Sequence, residues 1–116
     1  MTMATSAALA RKLLDSGSGG LEELRVHVFD DDLAAHDDVA IESLTADFVV
    51  EFDRCVVELS QVYGAPQRLG TEDDDAVPLN GVFRFAVWTV GNQELFAAAA
   101  HEDRELPILL MLGTAG

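Results

Sequence analysis

The sequence is poor in basic charge, in cysteine and in long apolar runs. Seven Lys and Arg stand against 21 Asp and Glu in 116 residues, a formal net charge of -14, and Lys12 is the single lysine. A surface with that balance cannot grip a nucleic-acid backbone, which needs a positive field. One cysteine, Cys55, leaves no internal disulfide to form, and this fits a cytoplasmic protein kept in a reducing compartment. No apolar run approaches the ~20 residues of a membrane span. A glycine-rich phosphate loop, a serine nucleophile elbow, paired-cysteine motifs and the helical zinc motif are all missing. No cofactor is therefore expected, and the reading is of a protein that is not an enzyme.

What is present is apolar. Hydrophobic residues make up 49% of the chain, too many for a disordered segment, and the length suits one domain over residues 1–116. Residues 1–14 carry Arg11 and Lys12 late and no acid. That is the wrong order for a secretory leader, which puts its bases before an apolar core. Thr5 or Ser6 reads as the N-cap of a short helix over 7–14. Ser16, Gly17, Ser18, Gly19 and Gly20 form a flexible joint after it.

Leu24, Val26 and Val28 alternate with Arg25 and His27, which predicts a strand over 24–29 with the apolar three facing inward. Val39, Ala40 and Ile41 read as its return strand in a hairpin. Leu44, Phe48, Phe52, Val56, Leu59 and Tyr63 then recur at three and four residues, the mark of an amphipathic helix of about five turns. Thr45 is its expected N-cap, Asp47 sits in the first turn, and Gly64 with Pro66 stops it.

Residues 82–90 are aromatic and β-branched on both alternating faces, as in a central strand covered on both sides. Gly91 and Asn92 mark a turn. Residues 94–100 read as the next strand, although Ala97 to Ala100 also suit a helix. After a charged turn over 101–105, residues 106–112 read as a third strand, and residues 113–116 as a frayed end. The predicted class is α+β: one long amphipathic helix on an antiparallel sheet, with a C-terminal three-stranded meander and a short N-terminal helix.

Two acidic clusters stand out. Asp30, Asp31, Asp32, Asp37 and Asp38 fall within nine residues that hold no Lys or Arg, and Glu72, Asp73, Asp74 and Asp75 form the second. In the first, Asp32 and His36 lie one helical turn apart and have metal-ligand chemistry. The spacing does not match an EF-hand, and a cation site needs convergent ligands rather than excess charge. A solvated acidic loop is the default reading.

Val26 to Asp31 looks like the strand and acidic pair of a response-regulator receiver, and Asp74 stands four residues before Pro78. The likeness ends there. Asp74 lies in an acidic loop, no late lysine exists to meet a phosphoryl group, and the helix–strand alternation of a parallel sheet is missing. His101 beside Glu102, Asp103, Arg104 and Glu105 reads as a charged hairpin turn in which Arg104 neutralises its neighbours, rather than as a general base with its carboxylates. Cys55, next to the apolar stripe and near Asp53 and Glu58, reads as a packing residue rather than a nucleophile. Trp88, among Phe83, Phe85 and Phe96, is either core or an interface anchor.

Three functions follow as expectations. The leading one is a small non-enzymatic binding protein of the inhibitor or immunity kind, engaging a basic protein partner through the nine cluster carboxylates. The second is a dimeric adaptor or chaperone-like protein, a homodimer paired through the long helix or through the sheet and its last strand. The third is a metal-dependent enzyme built on the residue 30–38 cluster. Solubility and life at high salt compete with all three as explanations of the charge.

Overall fold

The computed structural model describes residues 3–17, 19–29, 36–103 and 105–115, with side chains from Ser6 onward. In chain order the elements are α1 (Met3–Ser16), β1 (Leu21–His27), α2 (Asp38–Tyr63), β2 (Arg68–Gly70), β3 (Val82–Val90), β4 (Gln93–His101) and β5 (Ile108–Ala115). The five strands form one antiparallel sheet in the order β1-β5-β4-β3-β2. The fold is α+β, with the long helix, the short N-terminal helix and the C-terminal meander all present.

Alternation along β4 defines the two faces. Leu95, Ala97 and Ala99 join Ala86 and Trp88 of β3 and Ile108, Leu110 and Leu112 of β5 under the helices, against Ala10, Leu13, Phe48, Phe52, Cys55 and Leu59. Phe96, Ala98 and Ala100 point the other way, with Val82, Phe85 and Val87. That second face meets the loop between β2 and β3 through Ala76, Val77 and Leu79. The alanines of β4 are a strand because both faces are covered, so small side chains let both layers approach.

Four expectations change. The long helix begins at Asp38, with Asp37 as N-cap: its side chain accepts from the Ala40 N–H at 3.1 Å. Thr45 lies inside the helix, and Val39, Ala40 and Ile41 are its first turn rather than a return strand. Asp37 caps and Asp38 meets the positive helix end, so the two acids start the helix eight residues early. The short N-terminal helix likewise runs over Met3–Ser16, with Ser6 within it and not at its cap.

No 24–29 hairpin forms, because β1 pairs with β5, Leu21 opposite Gly113 and His27 opposite Ile108. A register shift between Glu23 and Arg25 turns the strand over. Leu24 packs on the helix-side core as expected, but Arg25 and His27, opposite Leu110 and Ile108, share that side, and Val26 and Val28 are exposed. The Arg25 guanidinium lies 4.5 Å from the Phe48 ring centroid and 3.1 Å from Glu51 Oε1, a cation–π contact and an ion pair that make the inward charge tolerable.

Residues 113–115 are not frayed, and Gly116 lies outside the described residues. Gly113, Thr114 and Ala115 are paired with β4, and Gly113 also with β1. The Thr114 hydroxyl donates to Gly17 O at 2.9 Å and accepts from Gly20 N–H at 3.3 Å, so β5 holds the joint after α1. At the other end of α2, Gly64 has φ 83° and its N–H donates to Ser60 O, closing the helix as expected.

Candidate partner-binding face

The second acidic cluster lies on the loop that covers the outer face of the sheet. Asp74 receives Arg68 in a forked pair, Nε to Oδ1 and Nη2 to Oδ2, each at 3.0 Å. The same carboxylate accepts from Ala76 N–H at 3.0 Å, and Asp73 Oδ1 accepts from Val82 N–H at 3.3 Å. Glu94 of β4 is the second acid on Arg68, at 3.0 Å. Arg68 holds the Asp74 carboxyl below its ordinary range, with the Ala76 N–H adding to the effect and burial opposing it. Two of the four acids thus fasten the loop as a strap over Phe85, Val87 and Phe96, while Glu72 and Asp75 remain exposed.

The strap ends at Gly81, whose φ of +70° turns the chain into β3; a Cβ there would stand 2.5 Å from His101 O. Gly81 O accepts from His101 N–H at 2.9 Å, and Asn80 Nδ2 donates to Glu102 Oε1 at 3.2 Å. Between strap and β4–β5 turn lies a groove of about 190 Å³. Leu79, Ala100, Leu106, Pro107 and Leu109 form its walls, with Asn80 and Glu102 as its polar lining. Among the described residues Glu102 is its one charged lining residue, and Asp103 and Glu105 stand exposed in the same turn. The sequence hid this groove, because its walls come from three separate segments. The one local signal was Pro78-Leu79-Asn80-Gly81, a turn sequence carrying an apolar residue.

The first acidic cluster divides differently. Asp30, Asp31 and Asp32 lie outside the described residues. Asp37 is the α2 cap and Asp38 is in the first turn, so both have a part in the helix itself. His36 lies 3.7 Å from Glu105, and Asp32, its proposed co-ligand, falls outside the described residues. Among the described residues, no group of three or more His, Cys, Asp or Glu could hold a metal ion.

Comparisons with protein families, with curated proteins and with solved structures match nothing to this chain. Its chemistry is therefore read from its own residues.

Trp88, proposed as core or anchor, is 1% exposed under the helices, and its Nε1–H donates to Gly64 O at 2.8 Å. It fixes the end of α2 on the sheet and offers no surface to a partner. His101 stacks on Phe29 with centroids 5.7 Å apart, and His27 meets the same ring edge-on at 5.1 Å. These histidines cover one end of the core.

The α1–α2 contact holds a polar group that sequence reasoning missed. Glu58 is 5% exposed and accepts from Ala7 N–H, while its Oε1 finds no partner among the described residues. Cys55 lies beside it. Burial pushes the thiol up to about 12, the Ser6 hydrogen bond pulls the other way, and the Glu58 charge adds to the rise. A thiol held protonated at neutral pH is no nucleophile, so Cys55 packs.

Proposed function

We propose that this chain is a non-enzymatic binding protein, inhibitor- or immunity-like, that engages a basic protein partner through the acidic outer side of its sheet. One observation carries the reading. A groove with apolar walls opens between the strap and the β4–β5 turn, and acids stand at its margin with no described base among its lining residues. At about 190 Å³ the groove is below the ~300–1,000 Å³ of small-molecule sites, which favours contact with a protein over a substrate. Opposite charge would speed encounter and reject wrong partners. The exposed carboxylates available to such a partner are Glu72 and Asp75 on the strap and Asp103 and Glu105 in the turn.

The test is capture of proteins from the source lysate on the immobilised full chain at low and at high salt. The proposal expects retained proteins of net positive charge that elute as salt rises. Retention of neutral or acidic proteins, indifferent to salt, would sink it.

A homodimeric adaptor is the second reading, and one observation favours it. β1 is an edge strand with Leu21 and Val26 exposed, and an open edge can pair with another copy. The last strand is interior, between β1 and β4, so it cannot be the pairing edge. Light scattering that gives a monomer would remove this reading. The metal-dependent enzyme gains no observation from the described residues.

A further inference from the structure

Resting on the reading above, we infer that the groove between the strap and the β4–β5 turn takes one large apolar side chain from a basic segment of the partner. Its walls supply the reason for an apolar occupant. Leu106 is 43% exposed and Leu109 is half-buried, so apolar surface stands in water until something covers it. The volume sets the size: about 190 Å³ admits a single side chain rather than a cofactor or a whole ligand. Interfaces concentrate their energy at such points, where an anchor fills a desolvated pocket inside a polar ring.

The rim decides which segment brings that anchor. Glu102 lines the groove, and Asp103 and Glu105 follow it in the turn. Glu102 accepts from Asn80, which holds its carboxylate at the mouth, and three acids against the one base Arg104 leave residues 102–105 with a net charge of -2. Lys or Arg beside the anchor would meet these carboxylates. A second copy of this chain is the poorer occupant, because each copy carries -14 and would bring acid to acid. Beside the groove, the exposed Val26 stands opposite Leu109 on the same face, which offers a docked segment further apolar surface along the β1 side.

The experiment uses the full chain and three short synthetic peptides, followed by NMR titration. The first has a central Phe flanked by Lys and Arg, the second replaces that Phe by Ala, and the third keeps Phe but exchanges the bases for Glu. The inference expects the basic Phe peptide to bind at least about tenfold tighter than the basic Ala peptide. Its perturbations should centre on Leu79, Ala100, Leu106 and Leu109. Leu106→Ser, at an exposed turn position, should erase the Phe advantage and leave the weaker binding of the Ala peptide unchanged.

Equal binding of both basic peptides, with perturbation only near carboxylates, would overturn the anchor and leave the basic-partner reading standing. Binding of the Glu-flanked peptide as tightly as the basic one would overturn the charge rim. Failure of both basic peptides, or concentration-dependent shifts of the chain alone at the groove, would overturn the inference in favour of no occupant or of a second copy.

Discussion

On one side of the sheet, Trp88, Leu95, Ile108 and Leu112 lie beneath two helices; on the other, Phe85, Val87 and Phe96 lie beneath a loop. The helices are held by apolar contact along their length, with Phe48, Phe52 and Leu59 fully or nearly fully buried. The loop contributes only Ala76, Val77 and Leu79 to its contact, and carboxylates do the fastening. Apolar burial needs no ion pair and is not screened by salt, whereas a forked ion pair on an exposed Arg68 is weakened by acid and by screening. The same net charge therefore has two parts. Some acids hold the cover of the outer face, and others stand exposed at its margin.

The largest expected effect lies on the helix side. Phe48→Ala removes a ring that is 0% exposed and also carries the Arg25 contact. It should cost about 3–5 kcal/mol in denaturant unfolding. A loss below about 1 kcal/mol would mean that α2 is not the main cover. On the outer side, Gly113→Ala would set a Cβ 2.3 Å from Phe96 Cζ and 2.8 Å from Leu21 Cδ2. Because Phe96 is buried and cannot swing away, the expected cost is about 1–3 kcal/mol by the same measurement. A neutral result would show that the ring is free to move and that the outer face is loosely packed.

The smallest effect in free energy is the most specific. Arg68→Ala should cost at most about 1 kcal/mol, yet should loosen the strap alone. The pH dependence has a definite sign. The folded Asp74 carboxyl titrates below its ordinary 3.8, held there first by Arg68. Its contribution is complete above 3.8 and is lost as pH falls through the lower folded value. Acid below that range should free the strap in the wild type and change little in Arg68→Ala, as read from the chemical shifts of Ala76, Val77 and Val82. Identical acid profiles in both proteins would deny the pair its role.

The meander was legible because β3 and β4 announce themselves locally. Val82 to Val90 is rich in aromatic and β-branched residues, and Gly91-Asn92 separates it from Gln93–His101. The helical stripe from Leu44 to Tyr63 was equally plain. What sequence order concealed was long-range. β1 and β5 lie far apart in the chain and pair, and nothing in Leu24 to Phe29 names Ile108, Leu109 and Leu110 as neighbours. The bulge after Glu23 then reversed which side of β1 is apolar. Asp37 and Asp38 read as loop acids because a cap and a solvated cluster use the same residue. Asp73 and Asp74 were visible as charge, but their partners, Arg68 and the Val82 N–H, come from flanking strands whose approach only the fold creates.

The central claim is that the two covers are fastened independently, by apolar burial on one face and by carboxylates on the other. Amide hydrogen exchange in Asp74→Ala tests it most directly. The account predicts lost protection at Ala76, Val77 and Val82, with Phe52, Cys55 and Leu59 in α2 unchanged. Equal loss across strap and helix, or full protection of the strap, would contradict it.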